Sequence, residues 1–289
     1  MRSILFLPGN NPNLLINGDV LGADGVILDL EDAVSVDDKD AARILVRNTL
    51  KTVDYGDCEV IIRINSIDEG EAWKRDLEEV VPLCPNRIMP TKVSNGAYVR
   101  QVAEYMTHLE QEHGIPIGTV KLIPLIESTL GVENAFEIAG CDPRVNAIFL
   151  GAEDLTADMQ CVRTKEGEEI FFARSRLVTA ARAAGIEVYD TPFTDVHDDA
   201  GLLEDARRAK GMGFTGKASI SPHHIAGINQ VFSPTRQEIQ YAKEVLEVID
   251  QGRKQGKGAV SLYGKMIDAP IALRAQRVLK LAKFIYGEV

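Results

Sequence analysis

The sequence has little of what marks a membrane, secreted or nucleic-acid-binding protein. No segment of its 289 residues approaches ~20 consecutive apolar side chains, the length a bilayer-crossing helix needs. The amino-terminal MRSILFLPGN carries one arginine and five apolar residues before Pro8-Gly9, too short a run for a signal-peptide core. The four cysteines (Cys58, Cys84, Cys141, Cys161) lie far apart and form no C-x-x-C pair. They read as reduced thiols of a cytoplasmic protein, not as a zinc or disulfide framework. Positive charge is scarce: 32 Lys+Arg against 43 Asp+Glu give a net charge of −11. No basic surplus is left for phosphate backbones, so neither nucleic acid nor a membrane is an expected partner. An anionic substrate would then need a locally basic pocket, which gives individual arginines weight. Internal repeats and low-complexity tracts are also lacking.

What is present is a hydrophobic content of 45%, enough for a large core, in a chain of barrel-domain size. Eight short β-rich runs alternate with longer helical patterns. The runs are SILFLP (3–8), GVILDL (25–30), EVIIRIN (59–65), NRIMPT (86–91), VKLIPLIE (120–127), NAIFLG (146–151), IEVYDTP (186–192) and KASISP (217–222). Helices are expected over 38–51, 70–81, 94–112, 129–140, 168–184 and 197–211, with weaker helical signals in the first loop and around 223–230. Each strand is too apolar to be half exposed. The pattern predicts an α/β fold, a (β/α)8 TIM barrel over 1–230 with a C-terminal helical extension over 231–289. A doubly wound open sheet is the alternative. The extension comprises an amphipathic helix after Ser233-Pro234, a flexible Gly- and Lys-rich link at 252–258, and a basic helix. It can pack on its own barrel or reach a neighbouring subunit.

GMGFTG (211–216) matches G-x-G-x-x-G, and GMGFTGKA (211–218) nearly matches a P-loop. Both motifs need a strand before and a helix after, so that a helix N-terminus meets phosphate. Here the order is reversed, and a helix-to-strand turn is expected.

In such a barrel the chemistry sits at the C-terminal ends of the strands. Those ends carry Asp29, Glu31 and Asp32 (second strand), Arg63 and Asn65 (third), Thr91-Lys92 (fourth), Glu127 (fifth), Glu153 and Asp154 (sixth), Asp190 and Thr191 (seventh), and Ser219 and Ser221 (eighth). Carboxylate and water oxygens suit Mg²⁺ or Mn²⁺, and no His or Cys cluster competes for zinc. Glu127 and Asp154, on adjacent strands, are the expected metal ligands. Arg63 suits a carboxylate, either a substrate's or one of the second-strand acids. Structural alternatives stay open at each position: Asp32 and Asp154 as helix caps, Lys92 as a solvated loop residue, Arg63 as an internal ion pair, Asp29 as a tie to Arg2 or Arg63, Glu153 as a wall residue. The five histidines give little; His223-His224 follow the last barrel strand.

RSILFLPG, ILDLEDAV, RIN, IES, GAED, GFTGK and GKMIDAP occur in the order found in the citrate lyase β-subunit family, which includes malyl-CoA lyase-like and other HpcH/HpaI-type aldolases. The sequence resembles that family from about residue 2 to 275. The resemblance implies a TIM-type barrel, a homotrimer or hexamer, and a C-terminal segment that covers a neighbouring subunit's active site. It implies Mg²⁺ on Glu127 and Asp154, and Arg63 on a substrate carboxylate. It alone points to Asp268, of the MID motif, as an acid/base offered to the next subunit; the structural alternative is a cap for a helix beginning at Pro270. One departure is Ser221, where the acyl-CoA lyases carry histidine. It favours the citrate lyase branch.

The implied reaction is Mg²⁺-dependent retro-aldol (Claisen-type) cleavage of a citryl thioester to oxaloacetate and an acetyl thioester. The thioester is borne by an acyl carrier subunit or by coenzyme A, with an α subunit as a further partner in a citrate lyase complex. Enolate stabilisation falls to amides of the first βα loop or to Arg63, and proton delivery to Asp268 or to Glu31 through water. Asp29, Glu31 and Asp32 form an outer layer, holding metal waters or substrate and orienting an arginine, with Lys92 as a further substrate contact. The alternatives are a malyl-, citramalyl- or β-methylmalyl-CoA lyase, or a non-catalytic subunit that scaffolds a carrier protein.

Overall fold

The structure is a computed structural model that describes residues 1–254, 256 and 258–287. The chain divides into two compact units, Met1–Asn229 and Gln230–Val289.

The first unit is built on parallel strands: β1 (Ser3–Pro8), β2 (Gly25–Asp29), β3 (Glu59–Ile64), β4 (Arg87–Pro90), β5 (Lys121–Leu122), β6 (Leu125–Ile126), β7 (Ala147–Leu150), β8 (Glu187–Asp190) and β9 (Gly216–Ser219). They form one nine-stranded sheet in the order β5-β4-β3-β2-β1-β9-β8-β7-β6. The sheet curls, because its two terminal strands are consecutive pieces of chain. The single fifth strand expected over 120–127 is these two pieces. Proline has no N–H to give to a ladder, and Pro124 sits at the break. Ile123 N–H still donates to Ile88 O, while Pro124 O accepts from Phe149. Leu122 also reaches the seventh strand's side, donating to Arg144 O and accepting from Asn146.

Strand side chains alternate between faces. One face gathers Ile4, Ile27, Ile61, Met89, Ile123, Leu125, Ala147, Phe149, Tyr189 and Ala218 into a buried cluster drawn from all around the sheet. The connecting helices are α1 (Pro12–Ile16), α2 (Lys39–Thr52), α3 (Ala72–Val80), α4 (Gly96–Glu112), α5 (Thr129–Glu133), α6 (Ala135–Gly140), α7 (Ala152–Asp158), α8 (Phe171–Ala184), α9 (Asp199–Met212) and α10 (Ile225–Phe232). Two departures from expectation matter. The helix expected over 129–140 breaks at Asn134 into α5 and α6. The GAED stretch, read as a strand end, opens a seven-residue helix, α7, too short to show a periodicity. The GMGFTG segment is a helix-to-strand turn: α9 ends at Met212, Gly213 takes the left-handed conformation at φ 107°, and β9 follows.

The second unit pairs α11 (Arg236–Lys254) and α12 (Ala269–Tyr286) with an antiparallel hairpin of β10 (Val260–Leu262) and β11 (Lys265–Ile267). Its small core holds Ala242, Val245, Ile267 and Ala275. Of the link expected over 252–258, Gln255 and Lys257 lie outside the described residues; α11 itself runs through Lys254. No helix among the described residues is long and apolar enough to cross a membrane.

Candidate active site

The second strand ends in a cluster of acids because an arginine waits on its neighbour. Asp29 and Arg63 are register partners on β2 and β3. Arg63 Nε donates to Asp29 Oδ1 at 2.7 Å and Nη2 donates to Oδ2, while Nη1 lies 3.2 Å from Glu31 Oε2. The Phe6 ring covers the guanidinium at 5.1 Å. Asp29 also accepts the N–H groups of Glu31 and Ala33, which folds the chain back over it. Asp29 therefore ties to Arg63, whereas Arg2 pairs with Asp24. The expectation that Arg63 holds a substrate carboxylate or a second-strand acid resolves to the acid for its Nε–Nη2 edge.

Glu31 is buried, and its Oε2 accepts from Asp32 N–H. Burial pushes its pKa up; Arg63 pulls it down and Asp32 pushes it up again. Glu31 Oε1 lies 3.1 Å from Lys92 Nζ, which also donates to Glu69 at 2.6 Å. Lys92 is not among the residues that line the cavity described below. It sits in the left-handed region at φ 54°, which lets its N–H donate to Glu127 Oε1 at 2.6 Å.

Glu127 follows β6 and is 4% exposed. Burial raises its pKa well above the ordinary 4.5; the Lys92 N–H and Arg63 oppose this, and Asp154 and Glu31 add to it. A carboxylate desolvated beside other carboxylates is poised to take a cation. Gly151 makes the approach possible. A Cβ there would stand 2.7 Å from both Cβ and Oε2 of Glu127.

Asp154 lies in the first turn of α7, where no side chain of its own segment caps the helix. The cap reading for Asp154 therefore fails, and the one for Asp32 fails because no helix starts beside it. Glu153 has a side chain 63% exposed, 3.7 Å from Arg163 Nε. Arg163 is itself held by Glu169 at 2.7 Å.

Asp29, Asp32, Arg63, Glu127, Glu153 and Asp154 line one cavity of about 390 Å³, together with the apolar Phe6, Leu125 and Phe149. The size lies in the range of small-molecule sites. A more open depression of about 670 Å³ in the second unit has no ionisable lining. Of the expected site residues, Glu31 and Lys92 stand behind the cavity lining. Asp268 belongs to the second unit, where its Oδ1 accepts from Ile271 N–H as the cap of α12. His224 is buried against Phe193. The amides of Gly9 and Asn11, in the first βα loop, are taken by Asp29 O and Pro8 O, so these two are not spare donors for an enolate.

The donor set fits a hard divalent cation. Among the described residues no group of three or more His, Cys, Asp or Glu forms a ready cage. Magnesium commonly takes only one or two protein carboxylates and leaves the rest to water and substrate; Glu127 and Asp154 are two carboxylates of the lining that could hold one.

Sequence reasoning missed a buried quartet beside this cavity. Arg174, Asp190, Asp205 and Lys217 are each at most 2% exposed and mutually paired at 2.6–2.9 Å. A lysine inside an apolar strand, GKAS, was the available signal.

Residues 2–222 match the family model described as HpcH/HpaI aldolase/citrate lyase. The chain belongs to this family. It is 42% identical to the citrate lyase subunit beta of Leuconostoc mesenteroides subsp. cremoris, covering 97% of this chain and 93% of that protein. It is 33% identical to the mitochondrial citramalyl-CoA lyase of Homo sapiens, covering 98% of this chain and 86% of that protein. Among solved structures, the CitE protein of Mycobacterium tuberculosis in complex with magnesium, acetoacetate and coenzyme A superposes with a TM-score of 0.78. The identity is 29%, over 97% of both chains.

Proposed function

We propose that this protein is a Mg²⁺-dependent carbon–carbon lyase that cleaves a citryl thioester to oxaloacetate and an acetyl thioester. The observation that carries this reading is the single cavity shared by Glu127, Asp154 and Arg63. The relatives named citrate lyase subunit beta support the citryl substrate, and the magnesium- and coenzyme A-bound CitE structure supports the cofactor and the thioester carrier.

Glu127 and Asp154 would hold the ion, Glu127 fixed by the Lys92 amide and by the absence of a side chain at Gly151. When bound, Mg²⁺ supplies Lewis acidity to the substrate's α-hydroxy-carboxylate. Arg63, locked by Asp29, gives the cavity a fixed positive charge for a second carboxylate and for the leaving enolate. The apolar walls Phe6, Leu125 and Phe149 lower the local dielectric and strengthen these interactions. Asp32, also in the lining, would accept from water held at the site. The substrate hydroxyl proton passes through water to Glu31, and the proton for the acetyl carbon comes from Glu31 through water, or from Asp268 of a neighbouring copy.

The sheet order and the linkage of Leu122 to both neighbours support a closed (β/α)8 barrel over residues 1–230, with a helical extension over 231–289. The same reading places the chain in the cytoplasm as a homotrimer or hexamer. An acyl carrier subunit and an α subunit are its partners in a citrate lyase complex. Cleavage of citramalyl-CoA is the second reading, favoured by the 33% identity to citramalyl-CoA lyases.

Purified protein assayed on citryl-CoA, citramalyl-CoA and malyl-CoA, with and without Mg²⁺, separates these. Glu127→Ala and Arg63→Ala are each expected to lose ~2–4 kcal/mol of transition-state stabilisation. Equal turnover by wild type and both variants would remove the mechanism. No thioester cleavage by wild type would leave a carrier-binding scaffold.

A further inference from the structure

Asp154 is placed by a helix that does not cap itself. The first turn of α7 has N–H groups without intrahelical acceptors, as every helix does, and Gly151 offers no side chain to satisfy them. The acceptors come instead from the strands on either side. Gly151 N–H donates to Ile126 O at 3.0 Å, next to Glu127. Ala152 N–H donates to Thr191 Oγ1 at 3.2 Å, at the end of β8. The helix start is thus held between the strand that carries Glu127 and the strand that carries Thr191.

Thr191 is 1% exposed, and it is itself held from below. Its carbonyl accepts from Lys217 Nζ at 2.7 Å. Lys217 is one corner of the buried quartet, with Asp190 Oδ2 at 2.7 Å and Asp205 Oδ2 at 2.6 Å; Arg174 pairs with both acids from α8. Burying four charges is weak support for stability, because desolvation consumes most of the Coulombic gain. It does fix geometry, since each member has its partners on separate elements: α8, β8, α9 and β9.

We propose that Thr191 is a positioning residue: it sets the first turn of α7 so that Asp154 faces Glu127 across the cavity, and Lys217 with its quartet holds Thr191 in place. This rests on the reading of Glu127 and Asp154 as the metal pair. Thr191 borders the cavity, but in this role it acts through the Ala152 N–H and not on metal or substrate. It acts as an outer partner that orients a ligand, a class of residue whose loss weakens metal affinity by about 10–100-fold.

The test is Mn²⁺ binding to the full-length protein without substrate, read by the electron paramagnetic resonance signal of free Mn²⁺, with melting temperature measured in parallel. Thr191→Val keeps the shape and removes the acceptor; Thr191→Ala is the second variant should valine not fold. Thr191→Ser restores the hydroxyl. Thr49→Val, a buried threonine of α2 that donates to Leu45 O, controls for generic loss of a buried hydroxyl. Expected is Mn²⁺ affinity weakened about tenfold or more in Thr191→Val, recovered in Thr191→Ser and unchanged in Thr49→Val. A lower melting temperature in Thr191→Val with wild-type Mn²⁺ affinity would overturn the proposal. Failure of the wild type to bind Mn²⁺, or wild-type binding by Glu127→Gln, would instead overturn the metal reading on which it rests.

Discussion

Asp29 and Arg63 face each other across β2 and β3 in register, and one carboxylate grips both the Nε and the Nη2 of the guanidinium. The same carboxylate takes two backbone N–H groups from the turn that follows. Asp29 is 1% exposed and the Arg63 side chain 11%. The acids that crowd the end of the second strand are thus the counterpart of one buried cation. They also bend the chain so that Glu31 can stand behind it.

Asp29→Asn is therefore expected to damage more than one hydrogen bond. An amide can accept at only one of the two positions, and the charge of Arg63 is then left to Glu31. Unpairing a buried charge costs about 3–5 kcal/mol; the remaining Glu31 contact puts this variant at the lower end. Urea unfolding should show the midpoint falling, and kcat/KM on citryl-CoA should fall with it. Arg63→Lys keeps the charge and loses the two-point geometry. It should fold better than Asp29→Asn while losing activity to a similar degree. Equal stability of wild type and Asp29→Asn would contradict this account.

Gly151→Ala tests the close approach of the β7–α7 turn to Glu127. The backbone at Gly151 has φ −101°, which alanine adopts without strain. The obstacle is steric alone: the new methyl would stand 2.7 Å from Glu127 Cβ and Oε2. Overpacking of this kind costs about 1–3 kcal/mol. Because the displaced atoms belong to the proposed metal ligand, the Mg²⁺ concentration for half-maximal activity should rise. The melting temperature of metal-free protein should fall only modestly. Unchanged Mg²⁺ dependence would place the ligand elsewhere.

Most of this site lay open in the sequence, because strand ends can be found from strand runs. The runs of Val, Ile and Leu that made eight strands readable also placed Arg63, Glu127 and Asp154 at one mouth. What stayed hidden depends on contacts between distant residues. Arg174, Asp190, Asp205 and Lys217 meet only once four elements are packed. Lys92 was noticed for its ammonium, yet its backbone N–H is what touches Glu127, and nothing in a one-dimensional pattern distinguishes the two. Pro124 marks the split of the fifth strand, but its apolar neighbours on both sides make the run look continuous. The α7 helix was invisible because seven residues give no period.

Glu127 links proton and metal. Burial raises its folded-state pKa well above the ordinary 4.5. Below that ordinary value both folded and unfolded chains hold the proton, and the group contributes nothing to pH dependence. Above it the unfolded chain releases the proton first, so the folded state binds more protons and stability falls as pH rises toward the folded pKa. Metal-free protein should therefore lose stability at this group as pH climbs from the ordinary carboxylate value toward the raised folded-state pKa. Glu127→Gln, neutral throughout, should be at least as stable as wild type at the upper end. Mg²⁺ favours the ionised carboxylate and reverses the penalty. The rise in melting temperature on adding Mg²⁺ should grow with pH in wild type and vanish in Glu127→Gln. Calorimetric titration in buffers of different ionisation enthalpy should register proton release on Mg²⁺ binding at the acidic end, declining as pH passes the Glu127 pKa. A Mg²⁺ shift that is independent of pH, or that persists in Glu127→Gln, would mean the ion does not bind this carboxylate.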